Sequence, residues 1–156
     1  DIAKDGSRLA ASEHTGLIWC VADLAHSPLQ AAQCDVILSI FSPANYAEFK
    51  RLLRPNGVVI KIFPGPDYLR ELRTALYAGS NKATYENVDS VQQFHQHFEL
   101  VAKKDTCYQQ ELTATTLTHL LRMTPLAWGA SNAALEMLRR TGLECITVDA
   151  TIMIGR

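Results

Sequence analysis

Cys34-Asp35-Val36-Ile37-Leu38-Ser39-Ile40-Phe41 is the stretch on which the fold turns. From Val36 on, its apolar side chains do not alternate with polar ones, so neither face is marked for solvent. That is the pattern of a strand covered on both sides. Upstream, residues 17–22 form a second continuous apolar run of strand length, and residues 23–33 between the two are polar, alanine-rich and broken by Pro28. Downstream, Phe49, Leu52 and Leu53 recur at helical spacing, and Pro55-Asn56-Gly57 forms a turn that launches a third apolar run over 58–63.

The rest of the chain keeps this alternation. Residues 4–13 suit a surface helix ended near Gly16. Pro64-Gly65-Pro66-Asp67 stops the third strand and precedes a helix marked by Leu69, Leu72, Leu76 and Tyr77, which Asp67 is placed to cap. Residues 78–89 read as a loop, 99–112 as a strand nearer the sheet edge, 113–123 and 133–141 as helices with Pro125 between them, and 144–154 as a final strand. Strands alternating with helices predict an α/β fold with a mostly parallel sheet and helices on both faces.

With 156 residues, 47% of them hydrophobic, the chain supports one core. No apolar run approaches the roughly 20 residues of a membrane span, and no secretory signal segment is present, so a soluble, cytoplasmic protein with no membrane partner is expected. A net charge of −1 excludes a bulk field for nonspecific nucleic-acid binding, so an RNA partner would need a local patch. Cys20, Cys34, Cys107 and Cys145 include no C-x-x-C pair and read as buried thiols. His95-x-His97 has no third ligand near it, so no metal site is expected. Trp19 and, more often than not for a Trp between helices, Trp128 read as core.

In an open α/β sheet, ligands bind beyond the carboxyl ends of strands. Those ends are Asp1-Ile2, Ala22-Asp23-Leu24, Phe41-Ser42-Pro43 and Pro64-Gly65. An acceptor-only carboxylate at Asp1 suits vicinal ribose hydroxyls, and Asp23 can accept from an exocyclic adenine amine while the Leu24 amide donates to a ring nitrogen. Either acid alone reads equally well as a helix cap or loop carboxylate. Two at successive strand ends favour a nucleoside. The glycine-rich turn expected about twenty residues before the ribose acid is absent, so the chain reads as N-terminally truncated.

Asp23 with Ser27-Pro28-Leu29, Cys34 to Ser39, and Leu53-Arg54-Pro55-Asn56-Gly57-Val58 resemble the adenine acid, loop, strand and turn of the class I S-adenosylmethionine-dependent methyltransferases. Phe41-Ser42-Pro43, the segment from Phe63-Pro64-Gly65-Pro66 to Glu71-Leu72, and Met123-Thr124-Pro125-Leu126-Ala127-Trp128 together resemble the bacterial large-subunit ribosomal RNA guanine-N1 methyltransferases. The resemblance implies a Rossmann-like fold, with residues 1–156 forming part of a catalytic domain whose zinc-binding module and glycine-rich loop are missing. It implies S-adenosylmethionine as cofactor at Asp1, Ile2, Ala22, Asp23, Leu24, Ser39, Ile40 and Phe41. Ser42, Pro43, Pro64 and Gly65 would wall the target base, although the prolines also serve simply as strand terminators. The implied reaction is methyl transfer to guanine N1 of ribosomal RNA, with a small-molecule substrate or a noncatalytic module as alternatives. The base that removes the N1 proton is not assigned: Ser42, Asn45, Tyr46 and Asp67 are within reach, and Asp67 more naturally caps its helix. An apolar edge left by the truncation would favour self-association, for instance a homodimer.

Overall fold

The computed structural model of the chain describes residues 3–156. In order these form α1 (Lys4–Glu13), β1 (Cys34–Ile40), α2 (Tyr46–Leu52), β2 (Leu53–Pro64), α3 (Arg70–Tyr77), a 3-10 turn (Asn81–Ala83), α4 (Val88–His97), β3 (Leu100–Glu111), α5 (Ala114–Met123), α6 (Pro125–Trp128), α7 (Asn132–Thr141) and β4 (Cys145–Gly155). The four strands lie in the order β1-β2-β4-β3. β1 and β2 run parallel, with Leu38 opposite Ile60 and Ser39 opposite Lys61. β4 runs antiparallel to β2, with Met153 opposite Lys61, and antiparallel to β3.

The Rossmann-like α/β class is therefore what the chain adopts, with one correction. The sheet was expected to be mostly parallel, and among the described residues it is mixed, with β1 and β2 the parallel pair. Apolar runs carry no information on direction. Nor is β1 covered on both faces as expected: Val36, Leu38 and Ile40 are exposed on one of them. β4 enters between β2 and β3 against both, and its sequence would look the same either way.

Helices cover both faces. On one, Tyr46 and Phe49 of α2 and Phe94 of α4 pack with Phe98 on Val59, Phe63 and Met153 of the sheet. On the other, Leu72 and Leu76 of α3 pack with Leu117 and Leu121 of α5, Leu138 of α7 and Ile146 of β4. The odd-numbered Met153 and even-numbered Ile146 of one strand point to opposite sides, as strand geometry requires. Burial of each such large side chain contributes about 1.5–3 kcal/mol.

A second correction concerns residues 17–22, which form no strand, although the run is apolar throughout; Ile18 is 97% exposed. A strand exists where a neighbour completes its ladder, and among the described residues none runs beside this segment. The following segment is held differently: Arg51 of α2, itself paired to Glu48 at 2.6 Å, donates to the carbonyls of Ser27 and Leu29 at 3.2 and 2.9 Å. The Ser27 amide donates to Glu48 in turn. The predicted turn at 55–57 lies inside β2, where Asn56 takes a left-handed conformation (φ 67°) and the pairing register shifts against β1.

Candidate functional site

The carboxyl ends of β1 and β2 meet where the apolar strands stop. Just past β1, the Phe41 amide donates to Ile62 O, and Phe41 itself adopts a left-handed backbone (φ 46°). This turn is tied from beneath by Lys61, which is 3% exposed. Lys61 Nζ donates to Ser39 Oγ at 3.0 Å and to Ser42 O, and the Ser39 and Ser42 hydroxyls are 2.9 Å apart. Burial pushes the Lys61 ammonium below its ordinary value. Its charge faces these dipoles and the Phe63 ring, 5.5 Å away at the centroid.

At the end of β2, Pro64-Gly65-Pro66 turns under Asp149 of β4. Gly65 N donates to Asp149 O and Asp67 N to Asp149 Oδ2, both at 2.9 Å. A Cβ on Gly65 would sit inside the Asp149 carboxylate, so any larger residue must displace that side chain and its bond to the Asp67 amide. Asp67, expected to cap α3, does not do so. The residue at that position is Leu69, in a left-handed conformation (φ 54°) with its amide bonded to Thr147 O at 2.8 Å. Glu71 locks the same corner, accepting from the Thr147 amide at 2.8 Å and hydroxyl at 2.6 Å.

Between these strand ends and the helical layer lies an aromatic cavity of about 720 Å³. Phe41 and Tyr68, with ring centroids 4.8 Å apart, form one wall together with Pro64. Thr124, Pro125 and Leu126 also line it, and Tyr77 ties their segment to α3 through a 2.6 Å bond from Oη to Leu126 O. Arg73 lines the cavity and is 4% exposed; it lies 5.7 Å from the Tyr85 ring centroid and donates through Nη2 to Pro66 O. Its Nε–H is buried without an acceptor. Arg73 and Lys82 supply the charge on this lining, and no carboxylate is among the lining residues.

The structure thus gathers Phe41 and Pro64 into one cavity, with Ser42 and Gly65 at the turns that hold it. Ser39 is buried beneath, bonded to Lys61. Pro43 is exposed beside the Asn45 cap of α2. Ala22, Asp23 and Leu24 are not brought there: they lie on no strand and do not line the cavity. Asp23 is 67% exposed, with Oδ1 accepting from its own turn at Ala25 N. Asp1 and Ile2 lie outside the described residues. Among the described residues no cysteines are disulfide-linked, but Cys20 and Cys107 are exposed rather than buried. No cluster that could hold a metal ion occurs among the described residues.

Lys61, Arg73, Tyr68 and Tyr85 were missed by sequence reasoning. Two carried a signal. Lys61 is the one charge within the apolar run 58–63, and Arg73 falls on the core side of the Leu69, Leu72, Leu76 stripe, where an unpaired cation is unusual.

No family model matches the chain. Over 155 residues, 99% of this chain, it is 43% identical to a Bacillus subtilis protein provisionally named a 23S rRNA (guanine-N1)-methyltransferase. Over its whole length the chain is similar to part of that relative. A Streptomyces fradiae relative, the 23S rRNA (guanine(748)-N1)-methyltransferase, is 27% identical over the whole chain. The chain spans about half the length of these curated relatives, 55% and 56% respectively. Among solved structures, a Bacillus halodurans protein provisionally named a methyltransferase superposes with a TM-score of 0.58 over 100% of this chain and 80% of its own, at 12% identity. That likeness shows the Rossmann-like α/β fold.

The fold family implies S-adenosylmethionine, and the described residues fit it only in part. The β1 end offers a wall, but Asp23 turns its carboxylate to its own loop and Ser39 to the Lys61 network. They do not by themselves form a clamp for a nucleoside. No helix among the described residues is long and apolar enough to cross a membrane.

Proposed function

We propose that this chain is part of the catalytic domain of an S-adenosylmethionine-dependent methyltransferase acting on guanine N1 of 23S ribosomal RNA, in the cytoplasm. One observation carries the reading. The two motifs that resemble that family, the Pro64-Gly65-Pro66 turn through its Pro64 and the Thr124-Pro125-Leu126 segment, are about sixty residues apart in sequence and line one aromatic cavity beside the ends of β1 and β2.

A cavity of this character suits an extruded base. The Phe41 and Tyr68 rings offer a stacking surface. The Arg73 guanidinium offers donors toward the acceptor edge of a guanine. With both Phe41 and Leu69 held in left-handed backbone by hydrogen bonds to β2 and β4, the walls are set before a ligand arrives, so positioning supplies much of the rate.

The test uses the full-length protein with S-adenosylmethionine and 23S rRNA from a strain lacking the enzyme. N1-methylguanine is expected by mass analysis of the digested RNA. A competent full-length protein that adds no methyl group, or that methylates another atom, overturns the reading.

A further inference from the structure

The segment Met123 to Trp128 has two sides. Its Thr124-Pro125-Leu126 part faces the aromatic cavity, whereas Ala127 and Trp128, with Arg122 before them, turn to a second and smaller cavity of about 280 Å³ bounded by α5, α6 and α7. There Trp128, expected in the core, is 73% exposed. Arg122 in the last turn of α5 and Arg139 in the last turn of α7 line the same cavity, and both are exposed. Neither has an ion-pair partner among the described residues. Every ion pair there is made elsewhere, by His26, Arg51, Arg54, Arg70 and Lys103.

A singly exposed apolar side chain needs no explanation; Trp128 differs because two guanidiniums line the same cavity. Two guanidiniums without an ion-pair partner beside it give the patch a local cationic character, with no carboxylate among its lining residues. The lining between them is apolar, from Leu121, Ala127 and Leu135. A flat aromatic platform flanked by two forked donors matches a nucleobase between two phosphates. It matches an acidic peptide less well, because a peptide supplies no planar face for the indole.

We propose that this cavity is a holding site for a single-stranded RNA segment: one unpaired base stacks on Trp128, and Arg122 and Arg139 each engage a neighbouring phosphate. α5 and α6 line both cavities, with Leu120, Pro125 and Leu126 on the aromatic one and Leu121, Ala127 and Trp128 on this one. RNA next to the target base would therefore be gripped while the target occupies the cavity. The proposal rests on the RNA reading above, and it adds a second contact outside the methylation pocket.

The experiment measures binding of the full-length protein to a 23S rRNA fragment that it methylates, across a salt series. Trp128→Ala is expected to weaken binding roughly 5- to 100-fold, with Trp128→Phe recovering most of the loss because a ring face is retained. The double variant Arg122→Gln with Arg139→Gln is expected to lower the slope of log affinity against log salt by about 1.4, that is about 0.7 for each phosphate released. S-adenosylmethionine affinity should be unchanged in every variant. If wild type methylates guanine N1 and all variants bind RNA as tightly with the same slope, the holding site is wrong and the face serves a protein contact. A loss in Trp128→Ala that Trp128→Phe does not recover also overturns it. If wild type neither binds nor methylates the RNA, the functional reading itself has failed, a distinguishable result.

Discussion

Gly65 is the residue whose replacement the cavity wall tolerates least. Gly65→Ala drives a methyl into the Asp149 carboxylate, and overpacking of this kind costs about 1–3 kcal/mol. We expect a lowered thermal midpoint, and a smaller loss in an Asp149→Ala background where the obstruction is gone; equal losses in both backgrounds would refute the contact. Glu71 makes a pH prediction. Its burial alone would raise the carboxyl, but the Thr147 hydroxyl and amide and the Arg70 guanidinium outweigh that and hold it at about 2, against an ordinary value of 4.5. A depressed carboxyl contributes stability that is present above pH 4.5 and is lost as pH falls toward 2. Denaturation followed by circular dichroism should show that slope in wild type and a flatter one in Glu71→Gln. At this scale the sequence was partly legible: Gly65 and Pro64 stand out as turn residues, whereas Lys61 and Arg73 are visible only as charges in apolar patterns, with nothing in the pattern to say that they serve a site. The role read for Asp23 was inferred from a strand end, and that strand is not formed.

Among the elements, α6 is the most exacting in its placement. It has a single turn, with Thr124 as its N-cap and Pro125 in its first turn, too short to be stable alone. It is placed by packing and by the Tyr77 hydroxyl on Leu126 O. Tyr77→Phe removes that bond at a cost of about 0.5–1.5 kcal/mol and should widen the aromatic cavity; amide exchange at residues 126–130 is expected to quicken, and unchanged exchange there would show that packing alone suffices. α5 was readable from Leu117, Leu120 and Leu121, and its start from Thr113, which forms a reciprocal capping box with Thr116. α4 was not read as an element, although Val88, Val91 and Phe94 recur at helical spacing; they are its only apolar residues and only Phe94 is buried. Residues 17–22 show the opposite error. Their composition is that of a buried strand, but strand formation depends on a partner's backbone, which composition does not encode.

Across the whole molecule, one face of the β1–β2 pair carries Val36, Leu38 and Ile40 exposed to solvent, beside Ile60 and Ile62. β1 is also an edge strand, and its sequence offers no lysine or proline to discourage pairing. The 156-residue chain on its own is expected to self-associate in a concentration-dependent way, and Leu38→Lys to shift sedimentation toward monomer; a wild-type chain monomeric at high micromolar concentration would contradict this. The α/β class and both helical layers followed from the alternation of elements. Strand direction did not, because an antiparallel β4 and a parallel one bury the same side chains. The Arg51 strap has a consequence for handling the protein. Because its guanidinium pins the carbonyls of Ser27 and Leu29 while residues 17–24 lack any sheet ladder, a dilute protease should nick the chain within 17–24 and stop there. The expected product is a resistant fragment beginning near Ser27, and Arg51→Ala should let digestion run on toward Cys34.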